Sequence, residues 1–211
     1  MRILGIESSS LVASVAIVED ETTMAEYTVN FKKTHSQTLL PMIDEMVKLL
    51  EIDLSTVDAI AVSGGPGSFT GLRIGSATAK GLGLALHKPL IHVPTLDATA
   101  YNLYGTEALI CPIMDARRNQ VYTGIYRFGE SFEIVHGQDA MDIDELMGIL
   151  NSMGEPVIFL GDGVPVFRSR IEETLTVKAL FAPAHVNRQR ASAVAALGAV
   201  YFKEGKTETA M

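Results

Sequence analysis

The fold is decided near the amino terminus by the stretch ILGIESSSLVASVAIV, residues 3–18. Apolar runs at 3–7 and 12–18 flank a polar turn of three serines, Ser8, Ser9 and Ser10, and this pattern predicts a β-hairpin. Glu7 closes the first strand. A carboxylate beside hairpin-tip amides and hydroxyls can hold phosphates and organise a hydrated cation. A plain turn is the alternative interpretation.

The same pattern recurs in the second half of the chain. In the first half, apolar spacing predicts further strands at 24–31, 59–63 and 90–93 and helices at 35–51 and about 68–87. In the second half it predicts strands at 109–115, 120–128, 132–136 and 157–160 and helices at 143–153, 164–175 and 191–203. Glu7 and Asp115 lie 108 positions apart, and each precedes an amphipathic helix by 28 positions. Two unrelated α/β segments are the alternative to a duplication.

The repeat of hairpin, acidic residue and helix predicts an α/β protein with two lobes. This predicted architecture resembles that of the actin, hexokinase and Hsp70 ATPase superfamily, which is ribonuclease H-like. We expect an amino-terminal lobe at 1–104, a smaller lobe of the same kind at 105–205 and a frayed tail at 206–211. Nucleotide phosphates would sit between Glu7 and Asp115.

The composition is that of a folded globular protein. Of the 211 residues, 47% are hydrophobic and 20% are charged, which excludes extensive disorder. The net charge of −8 makes unaided binding to nucleic acid unexpected. A single cysteine, Cys111, excludes an intramolecular disulfide, and neither a secretion signal nor a long apolar run is present. We therefore expect a cytoplasmic protein that does not cross a membrane.

A glycine-rich loop, SGGPGSFTGLRIG at 63–75, opens the second helix. Ser68 or Thr70 can cap that helix, and its amino-terminal amides favour an anion. The loop lacks the Gly-Lys-Ser/Thr of a P-loop and the Gly-x-Ser-x-Gly of a hydrolase elbow. It is either an anion site or a purely structural turn.

Small residues recur every fourth position along this helix, at Gly71, Gly75, Ala79 and Gly83. Each interior glycine costs about 0.5–1 kcal/mol relative to alanine, so close packing must compensate for it. The stripe packs either against the protein's own sheet or first helix, or against a helix of a second chain.

The sequence lacks the residue spacings that are typical of metal binding. The five histidines, His35, His87, His92, His136 and His185, include no pair at i and i+4, and Cys111 has no companion cysteine. The sequence therefore predicts neither a zinc site nor an evident catalytic pair.

Three motifs together resemble those of the TsaB family, formerly called YeaZ. They are ILGIESSS near the amino terminus, GGPGSFTGLRIG at 64–75 and MDARRNQVYTGIY at 114–126. The resemblance covers nearly the whole chain and implies the two-lobed fold described above, within the M22 glycopeptidase-like superfamily. It also implies a role in forming threonylcarbamoyladenosine beside the anticodon of tRNA. The family is regarded as the non-catalytic paralogue of TsaD, which carries the catalytic site.

The resemblance implies that the metal ligands of TsaD are missing here. TsaD uses a His-x-x-x-His pair and an Asp, and the matching positions are Thr95, Thr99 and Arg190. Threonine hydroxyls are weak ligands, and an arginine repels a cation. The adenosine contact of the paralogue becomes GDGVPVF at 161–167, with Phe167 in place of an Asn and an added Asp162. We expect no catalytic residue, metal or cofactor of its own, since ATP and metal are handled by partners. A vestigial phosphate site is expected at Glu7, Ser8, Ser9, Ser10 and Asp115.

By the same resemblance, the helices at 35–51 and 68–87 pack against the same two helices of TsaD, or of a second copy in a homodimer. The residues expected at this interface are His35, Leu39, Ile43, Met46, Ser68, Thr70, Gly71, Arg73, Gly75, Ala79 and Gly83. TsaE is the other expected partner, and tRNA is reached only through the complex. The implied function is a non-catalytic scaffold and activator of TsaD. The alternatives are an ATPase or kinase with its own nucleotide site, and an M22-like metallopeptidase.

Overall fold

The computed structural model describes residues 1–31 and 35–210, so Met211 of the tail lies outside the described residues. The chain divides into two compact units, one formed by Met1–Ala98 and Gln189–Met211 and the other by Thr99–Arg188. The elements run in the order β1 (Arg2–Glu7), β2 (Val12–Glu19), β3 (Thr22–Asn30), α1 (His35–Leu50), a 3₁₀ turn (Leu54–Thr56), β4 (Ala59–Ser63), α2 (Phe69–Leu86), β5 (Leu90–Val93), α3 (Thr95–Tyr101), β6 (Leu109–Arg117), β7 (Gln120–Phe128), β8 (Phe132–Asp142), α4 (Ile143–Met153), β9 (Val157–Leu160), α5 (Val164–Thr174), β10 (Ala179–Phe181) and α6 (Ala191–Lys203).

The first unit contains a five-stranded sheet in the order β3-β2-β1-β4-β5. Strands β1, β2 and β3 are antiparallel, whereas β4 and β5 run parallel to β1. Side chains of β1 alternate between the two faces of the sheet. Leu4 and Ile6 pack with the buried residues of α1 and α2. Gly5 lies on the opposite face, where a Cβ would clash with the carbonyl oxygen of Ala191 in α6.

The second unit has the same topology. Its sheet runs β10-β9-β6-β7-β8, with β6, β7 and β8 antiparallel and β9 and β10 parallel to β6. Cys111 and Ile113 of β6 pack against the buried residues of α4 and α5. Helix α4 begins where Asp142 accepts a hydrogen bond from the Asp144 amide, at 2.8 Å, and ends at Gly154 with a φ of 71°. The shared strand order confirms the predicted duplication and the α/β fold class.

The carboxy-terminal helix belongs to the first unit, which corrects the predicted boundaries at 104 and 205. Small residues let α6 lie directly on the first sheet: a Cβ on Gly198 would come within 2.7 Å of the Ala61 Cβ. The chain therefore returns to the sheet it began in after completing the second unit.

The tail at 206–210 is not frayed, contrary to the expectation from its polar sequence. Glu208 pairs with the edge strand β5 through two backbone hydrogen bonds with Leu90, of 2.8 and 2.9 Å. Ala210 packs against the core of the first unit. An open sheet edge offers backbone partners to any extended segment, and sequence polarity does not reveal this.

Most of the predicted elements match the structure closely, and β4, β5, β7, α4, β9 and α6 have the predicted bounds. Helix α3 and the three-residue strand β10 were not predicted. Strand β8 extends to Asp142, six residues beyond its predicted end. Within the described residues, no helix combines the length and apolar character needed to span a membrane.

Candidate functional site

The glycine-rich loop packs against the tip of the β1–β2 hairpin. The Ser68 amide donates to the Ser9 carbonyl oxygen at 2.6 Å, and the Ser8 hydroxyl donates to the Gly71 carbonyl oxygen at 3.0 Å. A Cβ on Gly67 would clash with the Ser9 carbonyl oxygen. Ser68 is the amino-terminal cap of α2, as its sequence position indicates. The loop is therefore a structural turn whose glycines allow it to approach the hairpin.

Two amides of the predicted phosphate site, those of Ser8 and Ser9, donate hydrogen bonds within the protein. Glu7, Ser8, Ser9 and Ser10 are at most 7% exposed. The Ser9 amide donates to the Glu7 carboxylate at 2.6 Å, and the Ser8 amide donates to the Ser63 hydroxyl at 3.3 Å. These donors are engaged within the fold. Asp115 belongs to the second unit, is exposed, and accepts a hydrogen bond from the Arg117 amide at 2.8 Å.

The positions that match the metal ligands of TsaD are engaged in structural contacts. Thr95 is fully buried, and its hydroxyl accepts a hydrogen bond from the Gly65 amide at 3.1 Å. Thr99 is 1% exposed. Arg190 forms an ion pair with Glu26 of β3. No group of three or more His, Cys, Asp or Glu side chains able to hold a metal ion occurs in residues 1–31 and 35–210.

Glu26, the partner of Arg190, is a charged group that sequence reasoning missed. Burial raises the pKa of its carboxyl, but hydrogen bonds from Arg190 and Ser192 outweigh burial and hold the pKa below its usual value. The carboxylate accepts from both the amide and the hydroxyl of Ser192, at 3.0 and 2.8 Å. The Glu26 carboxylate thus holds Arg190, the residue at one of the ligand positions that the resemblance implies.

In the second unit, Phe167, at the position matched to the adenosine contact of the paralogue, is part of the core, as is Cys111. Phe167 is 6% exposed and packs in the apolar core. The Gly163 amide donates to the Ile113 carbonyl oxygen at 3.0 Å. Burial raises the pKa of the Cys111 thiol to about 12, so it stays protonated and is a poor nucleophile.

The small-residue stripe of α2 faces the protein itself, which corrects its assignment to a partner interface. Gly71, Gly75, Ala79 and Gly83 are the buried residues of this helix. A Cβ on Gly75 would clash with the Ser8 hydroxyl, and one on Gly83 would lie 2.9 Å from the Ala210 Cβ. The stripe lets α2 sit close to the hairpin tip and the tail.

The predicted interface therefore has to be revised residue by residue. Leu39, Ile43 and Met46 of α1 are core residues, at most 3% exposed. His35 is half-buried, and its Nε2 lies 3.2 Å from the Val12 carbonyl oxygen. The remaining predicted residues, Ser68, Thr70 and Arg73, are exposed.

A second row of residues on α2 points away from the core. Phe69, Arg73, Ala77, Gly81 and Ala85 follow one another at four-residue steps and are all exposed; we call them the exposed row. The Arg73 guanidinium lies 3.8 Å from the centre of the Phe69 ring. A Cβ on Gly81 would meet no atom within 4 Å. The row begins two residues before the buried stripe, and that offset places it on the opposite side of the helix.

Comparison with known proteins identifies the family. A family model described as TsaD, tRNA N6-adenosine threonylcarbamoyltransferase, matches residues 23–210. The tRNA threonylcarbamoyladenosine biosynthesis protein TsaB of Bacillus subtilis is 35% identical over 200 residues, which are 94% of this chain and 87% of that protein. The chain belongs to the TsaB family.

Solved structures show how widely the fold of this TsaB-family chain is shared. YeaZ from Pseudomonas aeruginosa superposes with a TM-score of 0.83 and 24% identity, over 99% of this chain and 95% of that one. The ROK hexokinase of Thermus thermophilus superposes with a TM-score of 0.56 and 10% identity, over 97% of this chain and all of that one. At these identities the likeness concerns the fold alone, and it confirms the predicted hexokinase-like fold.

Proposed function

We propose that this protein acts in the biosynthesis of threonylcarbamoyladenosine in tRNA as a non-catalytic scaffold that activates a TsaD-type enzyme. The names of its relatives support the pathway, since both TsaB and TsaD are named for it. The observation that carries the scaffold role is the exposed row of α2. Its small residues Ala77, Gly81 and Ala85 are left exposed by the described part of the chain.

The positions expected to do chemistry support a non-catalytic role. The hairpin-tip amides of Ser8 and Ser9 are hydrogen-bonded within the protein. Arg190 forms an ion pair with Glu26, and as a cation it cannot serve as a metal ligand. A metal and ATP are therefore supplied and handled by the partners in this proposal, and the chain contributes no catalytic residue.

The exposed row has the character of a helix-docking surface. Ala77 and Gly81 let another helix approach closely, because helices with small contact residues pack at the short end of the usual separation. Large apolar side chains of α2 are exposed in this row and beside it: Phe69 is 68% and Leu84 is 51% exposed. On the adjacent helix α1, Leu40 is 52% exposed. Exposed apolar groups clustered in this way are typical of protein–protein interfaces.

The partner that fits this face is the paralogous helix pair of the TsaD-type enzyme. Because the partner shares the fold, the same face can also pair with itself, and a symmetric homodimer would compete with the heterodimer. TsaE joins the assembly in this proposal, and tRNA is bound by the complex rather than by the isolated chain.

Replacing Gly81 by leucine tests the docking face. Since the site is open, Gly81→Leu should leave the monomer folded while obstructing close helix packing, and affinity for the TsaD-type enzyme should fall at least about tenfold, which is about 1.4 kcal/mol. Gly148→Leu is the matched control, because Gly148 is an exposed glycine inside α4 that also has no neighbour within 4 Å. Calorimetric titration of both variants with the enzyme gives the comparison.

Equal binding by Gly81→Leu and Gly148→Leu would reject the docking face. Transfer of threonylcarbamoyl to tRNA by the isolated protein would reject the scaffold role. In the expected result, tRNA modification requires both proteins. It is lost when Gly81→Leu replaces the unaltered protein and is retained with Gly148→Leu.

A further inference from the structure

The turn between β6 and β7 places two arginines in a backbone conformation that arginine disfavours. The φ angles of Arg117, Arg118 and Asn119 are 67°, 52° and 64°. Arg117 pairs with Gln120, so Arg118 and Asn119 are the two central residues of a tight hairpin turn. A turn with positive φ at both central positions favours Asn or Asp followed by Gly. Local turn preference therefore does not account for two consecutive arginines.

Other groups hold this turn in place. The Asp115 carboxylate accepts from the Arg117 amide at 2.8 Å. The Asn119 side-chain amide donates to the Asp142 carboxylate at 3.1 Å, and the Asn119 carbonyl oxygen accepts from the Ile143 amide at 3.0 Å. The turn is thus anchored at both ends without using either guanidinium group. The Asp115 carboxylate is thus engaged with the turn's backbone and that of Asp142 with the Asn119 side chain.

Both guanidinium groups lack a partner, unlike those of the other arginines in the described residues. The other seven each contact a carboxylate, an aromatic ring or a carbonyl oxygen: Arg2, Arg73, Arg127, Arg168, Arg170, Arg188 and Arg190. Arg117 and Arg118 are exposed, and no ion pair or ring contact involves them among residues 1–31 and 35–210. Two adjacent, exposed guanidinium groups that pair with nothing in the described residues point to an external ligand.

We propose that Arg117 and Arg118 form a phosphate-binding site at the tip of the β6–β7 hairpin. Arginine's planar guanidinium matches the oxygens of phosphate with two parallel hydrogen bonds, and two adjacent arginines can contact one or two phosphate groups. This proposal rests on the proposed function in one respect: it identifies the phosphates as those of the RNA backbone. Nucleotide phosphates are the other source of the same chemistry. The net negative charge weakens long-range attraction to RNA, so binding depends on this local contact.

The test uses a variant that removes the arginines without disfavouring the turn. Asparagine adopts the left-handed conformation more readily than arginine, so R117N/R118N should fold with a thermal midpoint equal to or above that of the unaltered protein. Its complex with the TsaD-type enzyme should bind fluorescently labelled tRNA at least about tenfold more weakly. The slope of log affinity against log salt should fall by about one for each lost phosphate contact.

Lys178→Gln is the control for simple loss of charge. It removes one positive charge, as the single variant R118N does, and the two are compared directly. Lys178 is an exposed cation of the second unit that forms no ion pair within the described residues, and its removal should leave affinity and salt slope unchanged. Calorimetry with ATP forms the second arm. Weaker binding of tRNA by R117N/R118N identifies RNA as the phosphate source, and weaker binding of ATP alone identifies a nucleotide.

Unchanged binding of both tRNA and ATP would overturn the proposal. A lowered thermal midpoint would overturn it too, because the arginines would then serve the fold. The two proposals fail in different ways. If the unaltered protein does not stimulate the TsaD-type enzyme, the proposed function fails; if it does so and R117N/R118N behaves identically, only the phosphate site fails.

Discussion

At the scale of single residues, Arg190 lies at a position matched to a metal ligand and instead forms a structural ion pair with Glu26. Arg190 cannot hold a cation, and this follows from residue type alone. Its pairing with Glu26, 164 positions away, cannot be read from the sequence, because it depends on α6 returning to the first sheet. The Glu26 side chain is 9% exposed, and a buried charge of this kind requires a partner.

The ion pair between Glu26 and Arg190 makes the stability of the folded protein depend on pH. The pKa of Glu26 lies below its ordinary value of 4.5 in the folded protein, so its contribution to stability is present above about pH 4.5 and is lost as pH falls through the folded pKa. Glu26→Gln should lower the free energy of unfolding by about 2–4 kcal/mol at pH 7, because it leaves Arg190 without its counter-charge. Below pH 4 the difference between the variant and the unaltered protein should shrink.

Urea unfolding at pH 7 and at a series of values below pH 4 measures both effects. Glu172→Gln is the control, because Glu172 pairs with Arg168 on the exposed side of α5 and such surface pairs contribute less than about 1 kcal/mol. Equal losses for the two variants at pH 7 would contradict the assignment of Glu26 as a buried, paired carboxylate.

At the scale of elements, α2 has small residues on two opposite sides. The buried stripe contacts the hairpin tip, and the exposed row contacts nothing in the described part of the chain that would restrict Gly81. Spacing in the sequence predicted the helix and revealed the stripe, but it could not decide which side faces the core. That choice depends on Ser8 and Ala210, which reach the helix from the two ends of the chain.

The same substitution at two positions of α2 separates the two sides. Gly75→Ala should destabilise the protein by more than about 2 kcal/mol, because the added methyl group collides with the fully buried Ser8. Gly81→Ala should stabilise it by about 0.5–1 kcal/mol, because it meets no neighbour and improves helix propensity. Denaturant midpoints of the two variants give the result, and stabilisation by Gly75→Ala would show that the stripe does not pack against the hairpin.

Other elements show which helices and strands sequence patterns can predict and which they cannot. Central strands such as β4 and β9 are continuous apolar runs, and their bounds were predicted correctly. Helix α3 directly follows Pro94 and is only seven residues long, so its sequence offers less than two full turns of periodicity. Strand β10 has three half-buried residues, and its pairing with β9 supplies the order that its own sequence does not specify.

At the scale of the whole molecule, the chain is a duplicated fold in which the second unit is inserted into the first. The repeat was visible in the sequence through Glu7 and Asp115, whereas the insertion was not. The prediction followed chain order and placed α6 with the second lobe. In the structure α6 covers the Gly5 face of the first sheet, so the first unit is built from two separate segments and the second from one.

The second unit has the features of a segment that folds by itself. Its core contains residues of β6, β9, α4 and α5, and Phe128 and Phe132 pack with Tyr101 and Tyr104 near its beginning. The Asn102 side-chain amide donates to the Arg188 carbonyl oxygen at 2.8 Å, which brings the two ends of the unit together. Ends that lie close together are typical of inserted domains.

We therefore expect residues 99–188, expressed alone, to unfold cooperatively in urea and to show a folded circular-dichroism spectrum. Residues 1–98 alone should not, because without α6 the face of the sheet that carries Ile3 and Gly5 is exposed to water. Joining 1–98 to 189–211 through a flexible Gly/Ser linker should restore cooperative unfolding, since it returns the missing helix to that face. A fragment of 1–98 as cooperative as the linked protein would show that α6 is dispensable, and the first unit would then be complete before the chain enters the second.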